Sequence, residues 1–421
     1  MKILYVSQYF PPEMGAPAAR AAELAHHWAQ AGHDVSILTG FPNHPTGVVP
    51  EEWRARLSRL IYKETIDGVQ VFRTWLWPLP NRKAHERMRN YASFCISAAL
   101  RGIAIPRPDV IIATSPQLLV GLAGWWLSFA RQGTRQIPFV FEVRDLWPES
   151  LTAVGVGDEN SLLHHTLAKI AGFLYQKADR IVVVTPAFRE HLIRHWRVPE
   201  EKIAVVENGV ETDLFSPQSE ASNQAIRRHL NAEEKFLVCY IGTMGNAHGL
   251  ETLLDAAATL QHDQPNVLFL LIGEGAEKER IKSLAQSCNL ANILFLDQQP
   301  REKIPAFISA SDASLVLLKK TEVFKTVIPT KMLEFMSCAR SVILGVDGQA
   351  REIVEAAGAG LIIEPENSEA LAQAIQSLAA QPDLRAKLGQ KGREYILRNF
   401  SRARTAEKYI DVLERLIQNK A

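Results

Sequence analysis

The chain has 421 residues, a length that predicts two or three domains. Hydrophobic residues make up 47% and charged residues 22%, values typical of globular proteins, and a formal net charge of +1 gives no general attraction to nucleic acid. The four cysteines lie far apart, residues 1–10 do not resemble a signal peptide, and no apolar run reaches the ~18 residues that span a bilayer. We therefore expect a cytoplasmic protein with reduced thiols and no nucleic-acid partner.

Strand and helix patterns alternate from the first residues, which predicts an α/β fold with parallel strands joined by helices. A Pro- and Gly-rich loop at 11–17 precedes a helix predicted over about 18–31. The strands predicted for this half lie at 2–7, 35–39, 69–74, 109–113, 138–143, 181–185 and 203–206.

A turn-rich segment at 208–217 interrupts the alternation, and we predict a hinge there. Further strands are predicted at 236–241, 267–272, 293–295, 313–318, 341–344 and 360–363, with final helices from about 368, 384 and 402. This pattern predicts an N-terminal domain (1–208) and a C-terminal domain (209–401), with the helix at about 402–421 packing back on the first. Because open parallel sheets bind ligands at the carboxyl ends of their strands, we expect a site in the cleft between the domains.

The segment 324–338 concentrates groups that suit a nucleotide. A Thr after a Pro, followed by good helix formers, predicts a helix with Thr330 as its N-cap. Lys325, Lys331 and the first amides of this helix would attract phosphate, and Glu334, one turn later, can accept hydrogen bonds from a ribose diol. A plain capped helix with a solvated glutamate is the alternative.

Glycine-rich turns follow the first two strands of the second half. Glycine there lets a phosphate approach the backbone closely. The segment 242–249 matches neither GxxxxGK[ST] nor GxGxxG, which disfavours an ATPase or a dinucleotide enzyme. Tight strand-to-helix turns without a ligand are the alternative. The candidate binding residues of these turns are Gly242, Thr243, Gly245, His248 and Gly273.

Two places in the first half carry candidate site residues. Arg144 and Asp145 follow the strand at 138–143, and charged residues at a strand's carboxyl end predict a site. A local arginine–carboxylate pair that holds the loop is the alternative. Gly15 lies in the loop before the first helix, and Arg20, on the first turns of that helix, faces either a phosphate or water.

Residues 82–107 form the most strongly polarised segment, in which apolar and aromatic side chains alternate with basic ones. A helix of this kind is typical of contact with an anionic membrane surface. A core helix with a solvated basic flank is the alternative. The basic residues are Arg82, Lys83, His85, Arg87, Arg89, Arg101 and Arg107, and a second apolar stretch at 118–130 contains Trp125, Trp126 and Phe129.

Several segments together resemble the GT-B retaining glycosyltransferases of family 4. Residues 11–17 resemble their PPxxGG-type loop, and 203–215 resemble their interdomain segment. The segments 145–150 and 324–329 are most similar to a subgroup of bacterial fucosamine and colanic-acid glycosyltransferases. The start of the family's nucleotide-binding helix is matched by Pro329, Thr330, Lys331, Met332, Leu333 and Glu334.

This resemblance implies two Rossmann-like domains that face a cleft. It also implies transfer of a sugar, with retention, from a nucleoside-diphosphate sugar (a UDP-sugar is favoured) to a polyprenyl-diphosphate-linked or other saccharide acceptor. The setting would be surface-polysaccharide or O-antigen assembly, on the cytosolic face of the inner membrane. Glu334 would hold the ribose, Lys331 and Lys325 the departing diphosphate, and Arg144 and Asp145 the acceptor or a phosphate. With no DxD motif and no histidine spacing typical of ligands, we expect no metal and no cofactor.

The chain also departs from the family pattern. Thr326 stands where the family has the first of two glutamates, and Glu334 matches the second. Thr243 and His248 stand near the family's phosphate-binding Arg and Lys, and Arg144 replaces a common His. A nucleotide-sugar 2-epimerase of the same fold and a non-catalytic nucleotide-binding protein therefore remain alternatives.

Overall fold

The computed structural model describes residues 1–44, 47–79, 84–131, 137–153 and 160–420. The chain divides into two compact units, which we call the first unit (Met1–Asn208 with Arg402–Ala421) and the second unit (Gly209–Ser401). Each unit is built around its own sheet, and both sheets are mainly or wholly parallel. The predicted α/β fold with two Rossmann-like sheets is confirmed.

The sheet of the first unit has eight strands in the order β3-β4-β2-β1-β5-β6-β7-β8. Among the strands in the described ranges of this unit, only the edge strand β3 runs antiparallel, paired with β4. The prediction omitted β3 because its Ile-Tyr-Lys-Glu-Thr-Ile sequence forms no apolar run; none of its residues is fully buried, and pairing with β4 holds it. The strands are β1 (Lys2–Val6), β2 (Asp34–Gly40), β3 (Ile61–Ile66), β4 (Val69–Thr74), β5 (Val110–Thr114), β6 (Phe139–Val143), β7 (Arg180–Val183) and β8 (Ile203–Val205).

Helices of the first unit cover both faces of this sheet, as the right-handed crossovers of parallel strands require. Apolar residues of β1, β5 and β6 are buried on both faces, as is typical of central parallel strands. The helices are α1 (Ala16–Gln30), α2 (Glu51–Arg54), α3 (Ala84–Arg101), α4 (Val120–Ala130), α5 (Glu149–Ala153), α6 (Leu162–Lys177) and α7 (Pro186–Arg194).

The sheet of the second unit has six parallel strands in the order β11-β10-β9-β12-β13-β14. The chain order reverses between β9 and β12, and ligands of open α/β sheets bind at the carboxyl ends of the strands beside such a reversal. The strands are β9 (Phe236–Ile241), β10 (Val267–Ile272), β11 (Ile293–Leu296), β12 (Ala313–Leu317), β13 (Ser341–Gly345) and β14 (Gly360–Ile362). The helices are α8 (Glu220–His229), α9 (Glu251–Asp263), α10 (Lys278–Ser287), α11 (Ile304–Ala310), α12 (Thr330–Ser337), α13 (Gln349–Ala357), α14 (Ser368–Ala380) and α15 (Pro382–Asn399).

The last helix, α16 (Arg402–Gln418), belongs to the first unit and packs against α1. The indole N–H of Trp28 donates to the carbonyl of Ala406 (3.1 Å), and the Trp28 and Tyr409 rings meet edge to face at 5.2 Å. The buried Arg402 pairs with Glu23 (2.8 Å). In the part of the chain that the structure describes, no helix combines the length and the apolar character needed to cross a bilayer.

Candidate functional site

Two glycine turns lie side by side at the carboxyl ends of β9 and β10. Gly242 has a φ of 142° and Gly273 a φ of 149°, conformations that L side chains rarely adopt. A Cβ on Gly273 would lie 2.0 Å from the carbonyl oxygen of Gly242, so a side chain is also excluded by contact. The two turns therefore leave bare backbone at the carboxyl ends of β9 and β10, and β9 borders the point where the chain order of the sheet reverses.

Lys331 lies beside the first of these turns. Its Nζ is shielded from water and has no hydrogen-bond partner among the residues that the structure describes. The ammonium stands 4.0 Å from the centroid of the Tyr240 ring, and a Cβ on Gly242 would lie 2.9 Å from it. Burial lowers the pKa of Lys331 to about 7, and Glu334 offsets this only in part. An anion at the Gly242 turn would supply the partner that this buried cation lacks.

His248 lies against the same tyrosine, with ring centroids 6.1 Å apart. Its Nδ1 lies 3.3 Å from the amide nitrogen and 3.2 Å from the carbonyl oxygen of Gly245. Burial, followed by the charge of Lys331, lowers the pKa of His248 to about 3. His248 is therefore neutral near pH 7 and adds no positive charge. The side chain of Thr243 is exposed, and its carbonyl accepts a hydrogen bond from the Tyr240 hydroxyl (2.6 Å).

Helix α12 begins at Thr330, and Pro329 is its N-cap, so the prediction that Thr330 caps the helix is wrong. Pro329 has an extended backbone (φ −62°, ψ 122°), and no side chain caps this end. The first amides of a helix lack intrahelical acceptors, which makes this end attractive to an anion. Met332 offers no free group to a ligand here, since its side chain is fully buried and its N–H already donates to the carbonyl of Pro329 (3.0 Å).

Lys325 and Thr326 lie in a short 3₁₀ turn, Val323–Thr326, before α12. The Lys325 ammonium pairs with Glu322 (2.6 Å) at the surface, a weak type of ion pair that a phosphate can displace. The Thr326 hydroxyl donates to the carbonyl of Val323 (2.6 Å). The turn thus offers one surface cation and no carboxylate at position 326.

Glu334 is held by an arginine that the sequence analysis missed. Nη1 of Arg301 donates to Oε1 of Glu334 (3.0 Å), and the Arg301 guanidinium lies over the Phe215 ring, 4.8 Å from its centroid. Both charged side chains are mostly buried, at 27% and 13% exposure. Arg301 comes shortly after β11, and a basic residue at that end of a strand is the signal that could have pointed to it.

Arg20 does not face a phosphate or water, which corrects both alternatives given for it. It is 1% exposed and pairs with Glu142 (2.8 Å). Its other hydrogen bonds go to the Val206 and Glu207 carbonyls and to the Asn208 side chain, so its five N–H groups are all used. The sequence signal for this pair was Glu142 itself, an acidic residue within the apolar strand β6.

Arg144 and Asp145 lie just beyond β6, where both backbone amides donate to the Ser115 hydroxyl (2.7 and 3.4 Å). Nη2 of Arg144 donates to the carbonyl of Ala16 (3.3 Å), next to Gly15, the N-cap of α1 with a φ of 136°. Nε and Nη1 of Arg144 are buried and have no hydrogen-bond partner within the described ranges. Burial raises the pKa of Asp145 to about 6, although Arg144 opposes the rise.

The structure brings Arg144, Gly15 and Asp145 together in the first unit, and Lys331, Glu334, Gly242, Gly273 and His248 at one end of the sheet in the second. Glu149, from the same run as Arg144, instead accepts hydrogen bonds from His191 (2.9 Å) and Trp196 (3.1 Å). No group of three His, Cys, Asp or Glu side chains that suits a metal ion occurs in the described ranges.

The outer face of α3 exposes apolar side chains next to basic ones. Arg82 and Lys83 of the predicted basic segment lie outside the described residues. Ile96 and Leu100 are each 60% exposed. They border a groove of about 400 Å³, which we call the α3 groove, lined by Leu57, Leu60, Trp75, Ile96, Leu100, Arg59 and Arg101 among others.

Two family models match most of the chain. The model described as "Glycosyl transferase 4-like domain" matches residues 15–209, and the model described as "Glycosyl transferases group 1" matches residues 222–395. One curated relative is the putative colanic acid biosynthesis glycosyl transferase WcaI of Escherichia coli K12. It is 25% identical over 421 residues, which cover 98% of this chain and 99% of the relative.

Solved structures align with nearly the whole chain. Sucrose-phosphate synthase of Thermosynechococcus elongatus aligns with a TM-score of 0.78 at 22% identity, covering 99% of each chain. Anabaena Alr3699/HepE, solved in complex with UDP and glucose, aligns with a TM-score of 0.74 at 18% identity, covering 98% of this chain and 99% of its own. At these identities the likeness shows the fold.

Proposed function

We propose a function for this chain, which belongs to the glycosyltransferases of the GT-B fold. It transfers a sugar from a nucleoside-diphosphate sugar to a lipid-linked saccharide during surface-polysaccharide assembly. A UDP-sugar is the favoured donor. The WcaI relative is named for colanic acid biosynthesis, and the HepE structure contains UDP and glucose; both support this proposal. The observation that carries it is the buried Lys331 ammonium, which has no hydrogen-bond partner within the described ranges and lies beside the Gly242 turn.

The donor diphosphate is proposed to lie against the Gly242 turn and the start of α12. Its negative charge would meet the Lys331 ammonium and the first amides of the helix. Thr243 and His248 add no positive charge to the Gly242 turn. Lys331, which lies on α12, would therefore bind the diphosphate in place of the Arg and Lys that the family carries on this loop. Lys325, at the surface, would add a second cation after leaving Glu322.

The chemical step follows from this arrangement. The bond between the anomeric carbon and the diphosphate oxygen breaks, and the acceptor hydroxyl oxygen bonds to the same carbon on the same face. The departing phosphate takes up the hydroxyl proton, so the reaction needs no protein nucleophile. Charge gathers on the diphosphate as the bond breaks, and a preorganised donor such as Lys331 is worth about 10²–10³ in rate. Retention and independence from metal are parts of this proposal.

The first unit is proposed to bind the acceptor. Arg20 is paired with Glu142, whereas Arg144, in the same buried cluster, has two buried guanidinium nitrogens without a hydrogen-bond partner within the described ranges. A polyprenyl-diphosphate-linked saccharide brings the anion that Arg144 would pair with, and Asp145 lies beside it for a sugar hydroxyl. Apolar and basic side chains around the α3 groove would hold the protein on the cytosolic face of an anionic membrane.

Nucleotide binding tests this proposal first. UDP, GDP and ADP would be added to the protein and its melting temperature followed, because a ligand at 100 times its Kd adds about 2.7 kcal/mol of stability. We expect UDP to raise the melting temperature of the wild type and of Lys320→Met, whose ammonium pairs with Glu364 at the surface, but not that of Lys331→Met. If no nucleotide stabilises the wild type, the proposal is wrong.

Turnover distinguishes the proposed transferase from the two alternatives. With donor alone, an epimerase would produce an epimer of the nucleotide sugar, whereas a transferase would release nucleotide diphosphate in step with acceptor glycosylation. A non-catalytic protein would bind nucleotide and do neither.

A further inference from the structure

Three segments of the second unit meet around Arg301. Phe215 comes from the turn after β8, Arg301 from the 3₁₀ turn after β11, and Glu334 from α12. We propose that Arg301 is a positioning residue, which fixes the Glu334 carboxylate so that it reads the ribose diol of the donor. This inference rests on the proposed function, since it names how that same site recognises the nucleoside.

The Arg301 guanidinium packs on the ring of Phe215, which is held in a fixed position. This ring is fully buried, and the Phe215 carbonyl accepts a hydrogen bond from the Ser337 hydroxyl (2.5 Å), which ties the turn to α12 itself. Arg393 donates to the same carbonyl (3.4 Å). The Arg301 guanidinium is therefore held between a fixed ring and a fixed helix, so the direction from which it approaches Glu334 is set before any ligand binds.

One carboxylate can serve an arginine and a diol together. A carboxylate offers about four lone-pair sites on two oxygens, and Oε1 of Glu334 accepts from Nη1 of Arg301. Hydrogen bonds to an ionised acceptor are the stronger kind, but only when the acceptor keeps its orientation. Arg301 supplies that orientation and places a positive charge beside the mostly buried carboxylate.

The same pairing separates the two charges of α12. Lys331 and Glu334 are three residues apart on one helix, close enough to attract each other. With Arg301 paired to Glu334, the ammonium of Lys331 is left for the phosphates. With Arg301 in place, Glu334 binds the ribose of the nucleoside and Lys331 binds the diphosphate.

The competing explanation is that the Arg301–Glu334 pair only stabilises the second unit. A nucleotide that lacks the ribose diol distinguishes this explanation from a positioning role. We would measure the Kd of UDP and of 2′,3′-dideoxy-UDP, or of the GDP pair if GDP gives the larger thermal shift. Two hydrogen bonds to a charged acceptor predict that the wild type prefers the natural nucleotide by about 100-fold or more. Arg301→Met should reduce that ratio to a few-fold, and Arg301→Lys should keep an intermediate value.

Two controls accompany the measurement. Arg227→Met removes an ion pair of similar burial with Asp312, at the amino ends of the strands, and should leave the ratio unchanged. Inorganic pyrophosphate, which lacks the diol, should lose much less affinity in Arg301→Met than UDP does. In turnover, Arg301→Met should raise KM for the donor about 10-fold with kcat within a few-fold.

The outcomes are distinct. If Arg301→Met keeps the wild-type ratio of the two Kd values, or if Arg227→Met loses it equally, this inference is overturned while nucleotide binding stands. If the wild type binds neither UDP nor GDP, the proposed function fails and takes the inference with it.

Discussion

Two buried cations, Arg20 in the first unit and Lys331 in the second, lie near the carboxyl ends of strands and differ in how fully they are paired. Arg20 in the first unit has a full set of partners, led by Glu142. Lys331 in the second unit has a tyrosine face nearby and, among the described residues, no hydrogen-bond partner. A satisfied buried ion is part of the scaffold, whereas an unsatisfied one is costly until a ligand completes it.

The satisfied cation is therefore the one whose loss should most damage the fold. Arg20→Met removes the ion-pair partner of the buried Glu142, and we expect the first unit to lose about 3–5 kcal/mol of stability. All 8 tryptophans lie in the first unit, so urea unfolding followed by tryptophan fluorescence reports on it selectively.

Arg194→Met is the matched control, because it removes an exposed pair with Glu190 on α7 in the same unit. We expect a change below about 0.5 kcal/mol there. A similarly small effect of Arg20→Met would break the comparison.

The unsatisfied cation should behave in the opposite way. Lys331→Met removes a buried charge that has no counterpart in the ligand-free protein, so the second unit should gain on the order of 2 kcal/mol at pH 7. Donor turnover should fall about 10²–10³-fold. Thermal unfolding followed by circular dichroism and a donor-hydrolysis assay measure the two effects, and a variant that loses both stability and activity would contradict this assignment.

The depressed pKa of Lys331 gives the comparison a pH dependence. In the folded protein this pKa is lowered to about 7, below its ordinary value of 10.5. Between these values the unfolded chain binds more protons, so this lysine's destabilising contribution is complete below pH 7 and disappears as pH rises toward 10.5. Binding of a diphosphate favours the charged lysine and should take up a fraction of one proton at pH 8.

Calorimetry of UDP binding in buffers of different ionisation enthalpy measures that uptake. Lys331→Arg should bind without it, because arginine stays charged. Equal uptake in wild type and Lys331→Arg would assign the proton to another group.

The smallest effect is expected for the solvent-exposed cations of the α3 groove. Arg59 and Arg101 line the α3 groove of the first unit, and each should contribute about 1 kcal/mol to binding an anionic vesicle. The double change to Ser should weaken sedimentation with phosphatidylglycerol-rich vesicles about 20–30-fold at low salt and leave urea unfolding unchanged. The same change to Arg194 and Arg189, which pair with glutamates on or beside α7, is the control; equal loss there would mean that the groove has no special part.

Much of the fold was predictable because parallel strands are buried on both faces and appear as apolar runs. β4, β9 and β10 have the predicted bounds, while β3 escaped because its stability comes from its partner strand. For the candidate site, the sequence placed Glu334 and Lys331 on one helix but gave Thr330 as its cap. It could not show that Pro329 takes that place, since both residues suit a helix start.

The sequence by itself determined the alternation of strands and helices, the glycine turns and the glycosyltransferase family, because each of these depends on local patterns. Tertiary structure alone decided which buried charges are paired. Glu142 meets Arg20 across 122 residues and Glu334 meets Arg301 across 33, and nothing local distinguishes these partners from solvated residues. Whether a charge stabilises the fold or awaits a ligand depends on the groups around it in space, and only folding brings those groups together.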